Sequence, residues 1–365
     1  MIPGDISTQI AGVLRAAVAA GELPPAAAGL TAAGTWRPAP PEAGGEPGTY
    51  ATSLAFALAR LTGRDAADLA AALAARLRGG AGIDQVTVTG AGYLTVTVTD
   101  AALTQLAARV VAAGPACTAS DALTGTRLTV PAPQDLAAAA SWEQAWRWVT
   151  GTATGRLAEA AGAQVKFKIH SKRPAAPALG PPPGLSPVAA AIAFAGADRV
   201  RYALARTAAG GVAAMRREFS VSNTGSDPCY AVCSAHAAAA STLRWAADLG
   251  IRPGEPESLE PGQLAHPRER ELLAAISWLP ERVAGAARRR QPHELPWYLE
   301  YLAAAWLDCH QACPALPFGG QAAPRDEAGM AARLWLADAT RTALAAALGL
   351  IGVAAPGRLE AAQSP

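Results

Sequence analysis

The metal-binding and nucleophilic capacity of this 365-residue chain rests on five cysteines and five histidines. Two cysteine pairs, Cys229/Cys233 and Cys309/Cys313, are spaced four apart, so on a helix the members of each pair share a face, with His236 and His310 close by. Four such donors would suit Zn²⁺. A four-residue cysteine step on two helices is not a common zinc spacing, however, and thiols on apolar stripes act as small hydrophobes. That second reading is adopted, and no metal or other cofactor is expected. The odd cysteine number, in a chain whose Met1–Ser7 start lacks the basic segment and apolar core of an export signal, favours reduced thiols and a cytoplasmic location.

Other residues suit recognition rather than bond-making. Tyr93 and Thr95 stand two apart in an alternating segment, so on a strand they share a face; an aromatic ring there can stack on an exposed base, although both residue types also simply favour strands. Arg288, Arg289 and Arg290 form a cationic cluster able to meet phosphates or to end a helix where cations suit the dipole. Bulk charge is uninformative: 31 Lys+Arg stand against 29 Asp+Glu, a net +2, so any RNA contact must come from local patches. Charged residues are only 16%, the 51% hydrophobic share is inflated by alanine, and no apolar run is expected to approach the roughly 20 residues that span a bilayer.

The elements that position these residues are mostly helical. The stretch Asp227–Ala237 organises the C-terminal third: Asp227 is a good N-cap, Pro228 suits the first helical position, and Cys229, Val232, Cys233, His236, Ala240 and Leu243 form a stripe for a core until Gly250 and Pro253. That stripe makes His236 a candidate core histidine. Upstream, the sequence predicts helices over about Asp5–Ala20, Tyr50–Leu61 and Ala66–Arg78 (capped by Asp65), a loop from Leu23 to Gly48, a hairpin with strands around Val86–Val88 and Leu94–Val98, and a helix from Asp100 to Val111. Arg127–Val130 reads as a strand, Trp142, Trp146 and Trp148 as a packing surface, and the proline-rich Arg173–Pro187 as a semi-extended tether.

Several strings, in order, resemble arginyl-tRNA synthetases. Gly48-Thr49-Tyr50-Ala51-Thr52-Ser53 and Gly90-Ala91-Gly92-Tyr93-Leu94-Thr95 are similar to G-D-Y-A-T-N and G-P-G-F/Y-I/L-N of that family's N-terminal additional domain. Gly196-Ala197-Asp198-Arg199-Val200-Arg201-Tyr202 resembles G-A-D-A-L/V-R-Y of its DALR-type domain, and Asp227–Ala237, with Tyr230, resembles the start of the anticodon-binding helices. Pro292–Leu299, Leu336–Arg341 and Gly352–Leu359 continue the likeness. The resemblance implies that Tyr93 and the residue at Thr95 face the D-loop, that the region around Tyr230, His236, Arg341 and Arg358 faces the anticodon, and that a class I catalytic domain stands between. Counting back from Gly155–Val165, the H-x-G-H string of that domain should fall on Ser141-Trp142-Glu143-Gln144, and no histidine is there. No K-M-S-K-S string is present either; Lys166–Arg173, with His170, is not a substitute. Ser234 and Ala238 replace the family's Tyr and Arg, and Thr95 its Asn.

The expected architecture is therefore mainly α with a small α+β N-terminal domain and a C-terminal helical bundle of the class I synthetase anticodon-binding type. Its divisions are 1–114, a truncated catalytic remnant and linker over 115–187, and a DALR-type domain over 188–365. The expected function is binding of tRNA or tRNA-like RNA without catalysis, through Tyr93, Thr95, Tyr230, His236, Arg288, Arg289, Arg290, Arg341 and Arg358, with neither membrane nor DNA as partner. The rival readings are an arginine–tRNA ligase and a protein-interaction subunit that pairs with a full-length synthetase.

Overall fold

The computed structural model describes residues 2–32, 35–38, 46–168, 186–215, 227–316 and 327–359; His170 and most of the proline-rich tether lie outside them. The architecture is mainly α, with a small N-terminal α+β region and a C-terminal helical bundle. The chain divides into two compact units, one of Met1–Ala112, Ala246–Glu281 and Asp308–Ala339, the other of Ala113–Trp245, Arg282–Leu307 and Thr340–Pro365.

In the first unit, α1 (Pro3–Ala19) leads to a 3₁₀ turn (Pro25–Gly29), β1 (Trp36–Pro38) and β2 (Thr49–Thr52), then α2 (Leu54–Thr62), α3 (Ala66–Leu77), β3 (Ile83–Thr89), β4 (Tyr93–Val98), α4 (Asp100–Thr104) and α5 (Leu106–Ala113). The strands form an antiparallel sheet in the order β1-β2-β4-β3. Two expectations are corrected. The segment Leu23–Gly48 holds the 3₁₀ turn and β1, an edge strand where Pro38 is tolerated. The helix expected from Tyr50 begins at Leu54, because Thr49–Thr52 pairs with β4 in the register Tyr50↔Val96.

Asp65 caps α3 as expected, accepting from Ala67 N at 2.8 Å. α4 is capped by Thr99, whose hydroxyl accepts from Ala102 N at 3.1 Å, and Asp100 pairs with Arg270. Gly92, in the β3–β4 turn, has φ +129° and lies so close to Ala66 that a Cβ would sit 2.9 Å from that backbone; only glycine fits there.

Tyr50 is fully buried. Its hydroxyl donates to Ser277 Oγ at 2.8 Å and its ring lies 5.4 Å from that of Trp278, both on α10 (Pro267–Arg289). Burial pushes the phenol up to about 12, so it stays protonated and keeps its donor. The N-terminal segment thus shares a core with residues more than two hundred positions away.

In the second unit, β5 (Arg127–Pro131), α6 (Trp142–Ala160) and β6 (Gln164–Lys168) form a β–α–β unit with parallel strands. Gly155 lets the helix lie on this sheet: a Cβ there would meet Val130 at 2.7 Å and the Phe167 ring at 3.0 Å. Helices α7 (Pro187–Ala195) and α8 (Ala197–Arg206) follow. Among the described residues the chain also forms α9 (Pro228–Asp248), α11 (Glu294–Ala312) and α12 (Glu327–Ile351), the last two running through both units. Against expectation, Ala328–Ile351 is long and apolar enough to cross a membrane by length and composition; alanine supplies much of that character, and 61% of its most apolar stretch is buried, as in a core helix.

Candidate nucleic-acid interface

Alternation along β4 puts Leu94, Val96 and Val98 on one face of the sheet and Tyr93, Thr95 and Thr97 on the other. In register, the second face also carries Thr49 and Ala51 from β2 and Thr87 and Thr89 from β3; it is rich in threonine, but Thr49, Ala51 and Thr95 on it are buried. Tyr93 stands at its edge, 40% exposed, its ring 5.1 Å from Phe56 in an edge-on arrangement. Such a ring is held yet open to stacking.

Thr95 does not share that exposure. It sits mid-sheet between Ala51 and Thr87, is only 2% exposed, and places its hydroxyl 3.1 Å from that of Thr89. The shared face follows from alternation, but Thr95 is covered where Tyr93 is open, so Thr95 is a packing residue and not a contact.

The start of α9 is built as its sequence suggests. Asp227 Oδ1 accepts from Cys229 N at 3.0 Å and Oδ2 pairs with Arg199 at 2.7 Å. Val232, Ala235, His236, Ala239 and Thr242 form the buried stripe, with Cys233 and Leu243 half-buried beside it, while Tyr230 is 56% exposed. His236 is a core residue, 4% exposed, with Nδ1 2.9 Å from the Pro356 carbonyl oxygen. Burial lowers its pKa, and the Arg341 charge acts in the same direction against the raising effect of that hydrogen bond. A neutral, covered imidazole is no phosphate ligand, so the RNA-contact assignment of His236 is withdrawn.

The residues after α12 form a tail latched by several side chains. Asp198 Oδ2 accepts from Ala354 N at 2.9 Å, Arg201 donates to Gly352 O at 2.9 Å, and Arg244 donates to Gly357 O at 2.8 Å. The motif Gly196–Tyr202 thereby gains a physical meaning: Asp198 and Arg201, themselves paired at 2.7 Å, hold the tail, while Tyr202 is buried and donates to Pro296 O at 3.1 Å. Beyond the latch, Arg358 is exposed. Arg341 is half-buried.

The arginine cluster separates. Arg289 is committed to Glu294, with Nε 2.9 Å from Oε1 and a second arm on Oε2, which raises its pKa. Arg288 and Arg290 are exposed. Exposed aromatics that the sequence reading missed include Phe194, Trp245, Trp297 and Tyr301, at 70%, 61%, 47% and 47%. Each lies on a helix that also carries buried apolar residues, and composition alone does not say which ring faces out. The position expected for the catalytic histidines is the first turn of α6, where Ser141 Oγ caps the helix by accepting from Gln144 N at 3.2 Å. Among the described residues, His, Cys, Asp and Glu form no group of three that could hold a metal ion.

Two family models match this chain: the arginyl tRNA synthetase N terminal domain over residues 41–98 and the DALR anticodon binding domain over residues 232–359. The chain is related to arginyl-tRNA synthetases. The sheet face with Tyr93 falls in the first match, and α9 from Val232, the arginine cluster and the latched tail fall in the second.

Curated relatives agree. An arginine–tRNA ligase of Frankia alni is 38% identical over 166 residues, 45% of this chain and 29% of the relative, and one of Micrococcus luteus is 38% identical over 170 residues, 46% and 30%. The chain therefore matches about three-tenths of the length of these relatives. Among solved structures, the Thermus thermophilus arginyl-tRNA synthetase aligns at 24% identity over 64% of this chain and 34% of that one, with a TM-score of 0.32.

Proposed function

We propose that this chain binds tRNA or a tRNA-like RNA, through shape, phosphate contacts and a few stacked bases, without aminoacylating it. The observation that carries this reading is the segment between the two matched domains. Among its described residues stands one β–α–β unit with a serine cap, Ser141, where the family's imidazole donors to the adenylate phosphates would stand. Ser141 and Gln144 are neutral and engaged with backbone, so they supply no cation for phosphate charge developing in a transition state. Binding groups, by contrast, remain in both matched domains: the open Tyr93 ring and the exposed cations Arg288, Arg290 and Arg358.

A salt-titrated binding assay with a tRNA pool tests the reading. Saturable binding whose affinity falls linearly with log salt, and which an equal mass of DNA duplex does not compete away, is the expected result. Binding no tighter than that of a generic basic protein at low salt would overturn it.

The relatives' names favour a second reading, an arginine–tRNA ligase. Arginine- and ATP-dependent charging of tRNA by the purified chain separates the two, and none is expected. A role as partner of a full-length synthetase would instead appear as co-purification that survives ribonuclease.

A further inference from the structure

A cavity of about 550 Å³ opens in the second unit, beside β5 and the middle of α6. We propose that it is a binding site for a phosphate-bearing anion, held by Arg127, Arg147 and Arg290.

Three guanidiniums and His293 line the cavity with the hydroxyls of Thr129 and Thr150, and no carboxylate lines it. The arginines are only lightly engaged. Arg127 donates through Nε to Gln164 Oε1 at 3.2 Å, and Arg147 through Nε to the Glu143 carbonyl at 3.2 Å. Those bonds leave the terminal N–H groups of both forks to a ligand. Among the described residues neither they nor Arg290 form an ion pair, in contrast to Arg289 one residue away, which is held by Glu294. Like charges gathered around one cavity repel, and a multiply charged anion is the ligand that reverses the sign of that interaction.

The backbone adds two observations. Arg290 has φ +54°, and among the described residues it is the only non-glycine with positive φ. It ends α10 with Gln291 N bonded to Ala286 O at 2.9 Å, a helix stop that glycine fills without strain. An arginine kept there carries a conformational cost that places its cation on the cavity wall. The second observation is the open edge of β5. Thr126 O and Ala132 N point to β6, so alternation turns the N–H groups of Arg127 and Thr129 to the opposite edge, where no described residue accepts from them.

The volume lies within the range of small-molecule pockets, about 300–1,000 Å³. The cavity uses α6 from Trp146 to Thr154, beyond the first turn where Ser141–Gln144 stand. The phosphates could come from a free polyphosphate compound or from an RNA backbone; the chemistry is the same, and the proposal does not require RNA binding.

The test is calorimetric titration of the full chain with sodium triphosphate, with sulfate at matched ionic strength as control. One-to-one saturation at least about tenfold tighter than sulfate is expected, weakened about tenfold or more in R147Q/R290Q. Arg290→Gly is a second variant: it relieves the backbone, so its Tm should not fall, yet triphosphate binding should weaken. Triphosphate no tighter than sulfate, or undiminished in both variants, would overturn the proposal. Repeating the titration with a bound tRNA pool identifies the source: mutual exclusion assigns the phosphates to RNA, independent binding to a small molecule. Since the first arm contains no RNA, its failure and failure of RNA binding are read separately.

Discussion

The His236 ring and the Pro356 carbonyl oxygen, 2.9 Å apart, tie the middle of α9 to the C-terminal tail. A neutral imidazole that meets a carbonyl through Nδ1 must carry its proton there. Nε2 is left buried, with no hydrogen-bond partner among the described residues.

His236→Ala removes the donor and is expected to cost about 1–3 kcal/mol in urea unfolding. The pH dependence has a definite sign. Burial holds the folded pKa below the ordinary 6.5, so below that pH the unfolded chain takes up a proton that the folded chain refuses. Stability is therefore lost as pH falls through and below 6.5. The fall between pH 7.5 and 5.5 should be shallower in His236→Gln; an equal slope in both proteins would remove His236 as its source.

Tyr93→Ala should weaken RNA binding by about 1–3 kcal/mol, the worth of one stacked base, with little change in Tm, because the ring is exposed. Thr95→Ala should do the reverse, lowering Tm through its lost hydroxyl pair with Thr89 and leaving RNA affinity unchanged. Filter binding and thermal melts on the same two variants check the pair.

Arg288→Gln and Arg358→Gln should each reduce the slope of log affinity against log salt by about 1. Arg289→Gln should change that slope less, since its fork already holds Glu294. Slopes that rank Arg289 first would mean that the ion pair opens on the RNA.

Tyr202→Phe should cost about 1 kcal/mol in urea unfolding, because its hydroxyl meets Pro296 O inside the second unit. Burial raises its pKa, with the Glu300 charge adding to that, so no phenolate contributes and the loss should be independent of pH from 6 to 9.

The parts of this fold legible in the sequence were those written in local chemistry. Asp65 and Asp227 cap helices where side-chain oxygens precede apolar stripes, and the β3–β4 hairpin follows its alternation. The short strand Thr49–Thr52 was not legible, because four residues carry little periodicity and its partner β4 lies about forty positions away. Site residues failed for a related reason. Alternation assigns Thr95 to a face but does not reveal that Ala51 and Thr87 flank it, and a run of three arginines does not show that Glu294 occupies the middle one. The cavity beside β5 draws Arg127, Arg147, Arg290 and His293 from three separate segments, so no local string announces it.

The bond from Tyr50 to Ser277, with the neighbouring Trp278 ring, has a consequence at the level of the gene. A message cut short after the codon for Ala112 would encode a sheet whose buried phenol has lost both its hydroxyl partner and its aromatic neighbour. Expressed alone, that fragment should bind hydrophobic dye and melt without a sharp transition. The segment 1–112 and the helix that carries Ser277 and Trp278 are therefore inherited as a pair, and a frameshift upstream of Ser277 is felt at Tyr50 and at Trp36, which packs edge-on against it.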